Sequence, residues 1–259
     1  MRKLVATWAF ALAACGGGGG GGESPQPSPP PPPPPAANAD IGLLFMGNSH
    51  TSVNGLPAMV AELVRAARPG RTVRAVEAPG WMFLDERAAH VPSLELVREG
   101  GWSFVVLQVQ KYSASGLYEY STEGAEALIR LARTVRAVPV LFPEWPRRGV
   151  AETDRIYDLH ASIARREPAC VAPIGQAWDL ALARDPTLAL HAPDGNHSAP
   201  AGAFLAALVI ASTMTQVAPD EFPALAGIGV DAAVQAQLRA VAAETVLVYR
   251  PRQWCPNDP

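Results

Sequence analysis

The sequence predicts one α/β domain built on a doubly wound parallel sheet of about five strands, with helices on both faces. From Asp40 onward, short apolar runs alternate with helical patterns over about 220 residues. Such alternation implies right-handed βαβ units and therefore parallel strands. The first run is continuously apolar, as in a strand that is buried on both faces of a sheet. Nothing in this stretch indicates an internal repeat or a second domain.

Five apolar runs are the predicted strands. They are residues 41–46, 72–76, 102–108, 138–142 and 171–174. Five helices are predicted as well. In the first, over residues 56–67, Leu56, Val60 and Leu63 share one face, and Pro57 suits a first helical turn. The other predicted helices are residues 123–135, 153–165, 200–213 and 234–249.

The composition is unusual only near the N-terminus. Of 26 prolines, nine lie in residues 25–35, and of 22 glycines, seven lie in residues 16–22, which leaves near-average usage elsewhere. The net charge of −3 and the lack of a basic run disfavour a nucleic-acid-binding protein. No apolar stretch is long enough to predict a membrane-spanning helix.

The N-terminus resembles a bacterial lipoprotein signal. Arg2 and Lys3 precede an apolar run over residues 4–14, which is the layout of a secretory signal. The run ends Leu-Ala-Ala-Cys15, similar to the bacterial lipobox. This resemblance implies that residues 1–14 are removed and that the thiol of Cys15 is lipidated. An ordinary signal peptide that is cut near a chance cysteine is the alternative.

Residues 15–39 are predicted to be a tether, and residues 40–259 the folded domain. A glycine run is flexible, whereas a proline run forms extended polyproline II of about 3.1 Å per residue. A proline-rich ligand for a partner domain is the alternative. Gly16, directly after the cysteine, resembles the sorting signal of outer-membrane lipoproteins. We therefore expect a lipid-anchored protein of the bacterial cell envelope that faces the periplasm or the exterior.

Three cysteines occur in the chain. With Cys15 assigned to lipid, Cys170 and Cys255 are candidates for a disulfide in an oxidising compartment. Spacing alone does not establish that two cysteines are close in space, so their pairing stays open.

Polar segments follow the predicted strands at the edge where a sheet of this class binds ligands. In an open α/β sheet, that edge is formed by the carboxyl ends of the strands. Residues 47–51, 78–81 and 108–110 follow the first three strands. Residues 194–197 precede a late helix, and a doubly wound sheet brings all four segments together.

Ser49, His197 and Asp194 fit the chemistry of acyl transfer. A serine hydroxyl becomes nucleophilic when an imidazole takes its proton, and a carboxylate fixes the tautomer of that imidazole. We therefore predict Ser49 as nucleophile, His197 as base and Asp194 as the orienting acid. Ser49 as a helix cap and Asp194 as a turn residue are the alternatives. The backbone of Ser49 and Gly80, with a side-chain amide after the third strand, would hold the oxyanion.

These segments resemble the SGNH (GDSL-like) hydrolases over residues 41–210, in the family's order. Residues 44–49 are similar to the first block, with Asn48 where Asp is common. Gly80 is similar to the glycine of the second block, and residues 194–197 to the Asp-x-x-His of the last. The resemblance implies a flavodoxin-like, SGNH-hydrolase sheet and a Ser-His-Asp hydrolase. We expect no cofactor and no metal.

One block departs from the family pattern. Where the family usually has Gly-x-Asn, this chain has Gln108-Val109-Gln110. In a sialate-acetylesterase-like branch a glutamine serves at this place, so the oxyanion role is carried to Gln110, with Gln108 as the alternative. Strand alternation puts both side chains on one face, and spacing does not separate them.

The expected activity is that of a serine esterase that removes short acyl groups, such as acetyl, from a carbohydrate or another small ester. An O-acyltransferase with the same triad and a non-catalytic surface lipoprotein are the alternatives. The Gly-x-Ser-x-Gly motif of the α/β-hydrolases is absent. His50 is expected at the rim of the cleft, and Glu144 is a candidate to line it. The aromatic residues that could stack on a sugar or pack locally are Trp81, Tyr112, Tyr118 and Tyr120. No oligomeric state is predicted.

Overall fold

The computed structural model describes residues 39–256. The predicted signal segment (1–14), Cys15 and the tether as far as residue 38 lie outside the described residues. Among the residues that are described, no helix combines the length and the apolar character needed to cross a bilayer.

The centre of the domain is a five-stranded, fully parallel sheet, which confirms the predicted fold class. The strands are β1 (Ile41–Met46), β2 (Val73–Glu77), β3 (Phe104–Gln108), β4 (Val138–Phe142) and β5 (Cys170–Val171). Their order in the sheet is β2-β1-β3-β4-β5. The chain therefore leaves β1 toward one edge and then crosses to the other edge. This change of direction makes a topological switch point at the carboxyl ends of β1 and β3.

Nine α-helices surround the sheet within the described part of the chain. They are α1 (Ser49–Ser52), α2 (Leu56–Ala67), α3 (Leu84–Ala89), α4 (Val91–Arg98), α5 (Glu123–Thr134), α6 (Thr153–Arg166), α7 (Ile174–Arg184), α8 (Pro200–Thr215) and α9 (Ala232–Tyr249). Short 3-10 turns occupy Val53–Gly55 and Pro219–Glu221. The five predicted helices correspond to α2, α5, α6, α8 and α9, with ends that differ by two residues or fewer.

Two predicted boundaries were wrong for identifiable reasons. The predicted third strand begins too early, because the Trp102 indole is buried in the loop before β3 and its Nε1 donates to the carbonyl of Leu96. The predicted fifth strand runs on too far, because Ile174 already belongs to helix α7. A short apolar run is compatible with a strand or with the start of a buried helix, and periodicity does not distinguish them.

Strand alternation divides the apolar interior into two cores, one on each face of the sheet. Leu43 and Phe45 of β1 join the core covered by α2, α7, α8 and α9. Leu44 and Met46 face the opposite core, which is covered mainly by α4, α5 and α6. The sheet is therefore sealed on both faces, and its carboxyl edge is the place where polar side chains can gather.

The structure joins Cys170 and Cys255 in a disulfide, which answers the question that the sequence left open. Cys170 lies in β5, at the edge of the sheet, and the backbone N–H of Val171 donates to the carbonyl of Pro251. The C-terminal segment thereby covers an edge strand whose backbone groups would otherwise lack partners.

Candidate active site

Ser49, His197 and Asp194 meet at the carboxyl edge of the sheet, beside the switch point between β1 and β3. Ser49 begins α1, directly after β1, and Asn48 caps that helix by accepting from the backbone N–H of His50 at 3.0 Å. The Oγ of Ser49 lies 2.8 Å from Nε2 of His197, although 148 positions separate the two residues. The other ring nitrogen, Nδ1, lies 2.5 Å from Oδ2 of Asp194. The three side chains thus form one continuous line of hydrogen bonds.

The negative charge of Asp194 determines which atom donates and which accepts in each of these hydrogen bonds. Its Oδ1 accepts from the backbone N–H groups of Asn196 at 2.9 Å and of His197 at 3.0 Å. The bond from the His197 side chain, together with these two, holds the pKa of Asp194 well below its usual range. An ionised Asp194 accepts the Nδ1 proton, which leaves the Nε2 lone pair facing the Ser49 hydroxyl.

Three contacts from elsewhere in the fold hold the loop that carries His197. Asn54 donates to the carbonyl of Ser198 at 2.7 Å, which ties this loop to the turn after α1. From the segment after β4, Trp145 Nε1 donates to the carbonyl of Asn196 at 2.8 Å, and the backbone N–H of Arg148 donates to the carbonyl of Gly195 at 2.8 Å. The position of His197 relative to Ser49 is therefore set by the segments that follow β1 and β4.

Two backbone donors lie unused beside Ser49. Among the described residues, the N–H groups of Ser49 and Gly80 donate to no acceptor. Gly80 lies in the loop after β2 and adopts a φ of +80°, which favours glycine. This loop touches the Ser49 loop, because the N–H of Met82 reaches the carbonyl of Gly47 at 3.5 Å. Both donors were predicted to hold an oxyanion.

Gln108, at the end of β3, holds the segment around Ser49 through hydrogen bonds. It is fully buried, and its Oε1 accepts from the backbone N–H of Asn48 at 2.9 Å and from the hydroxyl of Thr51 at 3.0 Å. Its Nε2 donates to Glu144 at 3.0 Å. A side chain at Gly47 would collide with Thr51 and Gln108, so glycine is required there. Gln108 therefore orients the loop.

The geometry of Gln110 disagrees with the oxyanion role that we predicted for it. Its Nε2 donates to the carbonyls of Lys111 and Ser121, both at 3.0 Å, and an amide nitrogen has two hydrogens to donate. The expectation that Gln108 and Gln110 share a face also fails. Strand β3 ends at Gln108, and Val109 takes a φ of +75°, which turns the chain before Gln110. Alternation holds only while the strand continues.

A cleft of about 600 Å³ opens beside the line of hydrogen bonds. Its lining is mixed rather than apolar, with amide, charged and aromatic side chains. They include Asn48, Lys111, Tyr112, Tyr120, Glu144 and Asn196. Trp81 and Tyr118, which were candidates for stacking on a sugar, are about two-thirds exposed.

Two titratable side chains of the cleft are shifted by burial. Loss of solvation raises the pKa of Glu144 to about 7, and the bond from Gln108 only partly opposes this effect. Burial likewise lowers the pKa of His50 to about 4. His50 packs between the rings of Trp145 and His197, with ring centroids 5.0 and 5.2 Å away. A neutral His50 therefore supports the His197 ring without adding charge.

Sequence reasoning missed Arg87, which lies in α3 and is fully buried. Its guanidinium contacts the backbone carbonyls of Gly47 and Gly80. No sequence signal pointed to it, because α3 was not predicted and a charged side chain is expected at a helix surface.

Comparison with family models finds no match, and comparison with curated proteins finds none either. Solved structures do match. A candidate SGNH hydrolase from Slackia heliotrinireducens shares 27% identity, covering 67% of this chain and 98% of that one, with a TM-score of 0.53. A DUF4886 family protein from Bacteroides uniformis matches 82% of this chain and 96% of its own at 16% identity and a TM-score of 0.65. A candidate GDSL-like lipase from Parabacteroides merdae matches 69% of this chain and 96% of its own at 14% identity and a TM-score of 0.54.

The two matches of lower identity establish the fold alone. The Slackia heliotrinireducens protein adds sequence identity over nearly its whole length. The chain is a hydrolase of the SGNH superfamily.

Proposed function

We propose that the chain hydrolyses esters of short acyl groups, such as acetyl, through an acyl-enzyme on Ser49. His197 would act as the base and Asp194 as the group that orients it. The observation that carries this proposal is the line of hydrogen bonds from Ser49 Oγ through His197 to Asp194, at 2.8 and 2.5 Å. A nucleophile within hydrogen-bond reach of a base, with a third group behind that base, is the arrangement that acyl transfer needs.

The proposed reaction has two steps at the same serine. Ser49 Oγ bonds to the acyl carbon while its proton passes to Nε2 of His197. The carbonyl oxygen becomes an oxyanion that accepts from the N–H groups of Ser49 and Gly80. The intermediate collapses, and the leaving alkoxide takes the proton from Nε2, which releases the alcohol. Water then gives a proton to Nε2 and attacks the acyl carbon, and Ser49 Oγ departs and recovers its proton.

The lining of the cleft supports an alcohol portion that is polar, such as a carbohydrate. Asn48, Asn196 and Glu144 offer hydrogen-bonding groups in the wall of the cleft, and Tyr120 adds an aromatic surface. Sugars expose hydroxyl groups at their edges and apolar C–H faces, and such a mixed lining complements both. A long acyl chain would instead call for an apolar channel, whereas this cleft has charged side chains on its walls.

Replacement of the nucleophile tests the proposal. We expect Ser49→Ala to lower the hydrolysis of p-nitrophenyl acetate by about 10⁴-fold or more, because no other group can form the acyl-enzyme. Ser115→Ala, in an exposed loop, is the matched control. A fluorophosphonate probe should label the wild-type protein at Ser49. Unchanged hydrolysis in Ser49→Ala would refute the proposal, and acyl transfer to an added sugar in place of hydrolysis would assign the acyltransferase alternative.

A further inference from the structure

Arg87 connects the two loops that carry the unused backbone donors. Its Nη2 donates to the carbonyl of Gly47 at 3.0 Å and to that of Gly80 at 2.5 Å. Its Nη1 donates to the carbonyl of Pro79 at 3.2 Å and to the hydroxyl of Ser93 at 3.0 Å. One guanidinium therefore holds the segment before Ser49 and the segment around Gly80 at a fixed separation.

Burial of the Arg87 guanidinium carries a free-energy cost that a side chain serving only to fill space would not need. Its side chain is fully buried, and no carboxylate among the described residues forms an ion pair with it. Burial lowers the pKa of Arg87, yet a guanidinium remains protonated in proteins. Desolvating such a charge costs several kcal/mol, and an apolar side chain of similar volume would avoid that cost.

Because a peptide bond is planar, the contact between Arg87 and the Pro79 carbonyl also orients the N–H of Gly80. In a trans peptide the C=O and the N–H point in opposite directions. The carbonyl of Pro79 and the N–H of Gly80 belong to the same peptide. Because Arg87 holds that carbonyl, the N–H of Gly80 points away from Arg87, and among the described residues it meets no acceptor. The φ of +80° at Gly80 lets the next carbonyl turn to the same guanidinium.

We propose that Arg87 is a positioning residue of the oxyanion hole. It fixes the Pro79–Gly80 peptide so that the Gly80 N–H faces the reacting carbonyl oxygen, and it holds the Ser49 loop in register through Gly47. A charged donor on the carbonyl of a peptide also polarises that peptide and strengthens its N–H as a donor. This inference rests on the proposed function, in which the Ser49 and Gly80 N–H groups bind the oxyanion.

The test separates binding of the substrate from binding of the tetrahedral state. Arg87→Lys keeps the charge but lacks the fork that reaches both loops. We expect kcat for p-nitrophenyl acetate to fall by about 10²-fold, since loss of one oxyanion donor has an effect of about that size. KM should stay within about twofold of the wild type. The affinity for an alkylboronic acid, which forms a tetrahedral adduct on a serine, should fall in proportion to kcat. Arg98→Lys, at an exposed position of α4, is the matched control.

The outcomes distinguish this inference from the proposed function. Wild-type protein that neither hydrolyses the ester nor binds the boronic acid would refute the proposed function itself. Active wild type with an equally active Arg87→Lys variant would overturn the role of Arg87. A variant with reduced kcat but unchanged boronic-acid affinity would overturn it too, because the oxyanion hole would then still bind the tetrahedral adduct without Arg87. If Arg87→Lys fails to fold by circular dichroism, Arg87→Gln, whose amide can still donate to a carbonyl, is measured by the same criteria.

Discussion

The two sides of the cleft hold their reactive groups in different ways. On the acid–base side, Asp194 and His197 are three residues apart, and their side chains are one-half and about one-third exposed. On the nucleophile side, Ser49 sits on a loop that is held by Gln108 and Arg87, which are fully buried and lie 40 or more positions from their partners in that loop. One arrangement is local and exposed, and the other is distant in sequence and buried.

The difference predicts how each side responds to substitution. Exposed charge pairs add little to folding stability because water and salt screen them. Buried polar groups that lose a partner carry a penalty of about 1–3 kcal/mol each. Substitutions on the acid–base side should therefore change activity and leave stability alone, whereas substitutions on the nucleophile side should change both.

Among substitutions that test this contrast, the largest expected effect is that of Asp194→Asn on activity. An asparagine does not stabilise the imidazolium and permits the wrong tautomer of His197, so we expect kcat to fall by about 10³–10⁴-fold. The melting temperature at pH 7 should shift by no more than about 2 °C, because the carboxylate is exposed. Enzyme kinetics and calorimetry measure the two quantities. Asp220→Asn, at another exposed position, is the control.

A combined loss of stability and activity in Asp194→Asn would contradict the expected difference between the two sides. It would mean that the loop of residues 194–197 depends on its own carboxylate for folding. The contacts from Asn54 and Trp145 to this loop argue for the opposite, since they reach the backbone of residues 196 and 198 independently of Asp194.

The same contrast explains which parts of the site could be predicted from the sequence. Asp194 and His197 form a recognisable motif within four consecutive residues, and Ser49 follows an unbroken apolar strand. The bonds from Arg87 to Gly47 and from Gln108 to Glu144 join positions 40 and 36 residues apart, and nothing in either local sequence indicates the other. Local patterns predict local geometry, whereas buried networks of this kind become visible only when the chain is folded.

The fold was predictable for the same reason. The errors in its prediction arose where the local sequence was ambiguous. Short apolar runs marked all five strands, but α3 and α4 are too short and too charged to give a helical pattern. The assignment of Gln110 failed at one backbone angle, the φ of +75° at Val109. A β-branched residue adopts a positive φ only when the surrounding structure imposes it, so this turn could not be predicted from the local sequence.

A second prediction concerns the buried side, where Gln108→Met should cost about 3 kcal/mol of stability. Methionine has a similar volume, but it leaves the Asn48 N–H, the Thr51 hydroxyl and the Glu144 carboxyl without their partner. We expect kcat to fall about tenfold as the Ser49 loop loosens. Urea denaturation and ester hydrolysis measure these effects, with Gln253→Met, at an exposed position, as control. A variant that kept full stability and lost only activity would show that the nucleophile side is not held by its buried network.

The smallest expected effect on activity is that of Glu144→Gln, whose effect on stability depends on pH. Because burial raises the pKa of Glu144 to about 7, the folded protein binds this proton more tightly than the unfolded chain does. Wild-type stability contributed by the neutral acid is therefore present below the ordinary pKa of the carboxyl, near 4.5, and is lost as pH rises toward 7. Glutamine carries no such proton, so the stability of Glu144→Gln relative to wild type should increase over this window by roughly 3 kcal/mol and then level off.

Activity should separate from stability in this variant. The amide oxygen of a glutamine at position 144 can still accept from Gln108, so the Ser49 loop keeps its support, and ester hydrolysis at pH 8 should stay within about threefold of wild type. Unfolding curves at half-unit steps of pH provide the measurement, and Glu119→Gln, on an exposed loop, should show no dependence. A flat difference for Glu144→Gln would mean that water reaches this carboxylate freely. The nucleophile side would then be accessible to water at Glu144. The two sides would differ only in how far apart in sequence their interacting residues lie.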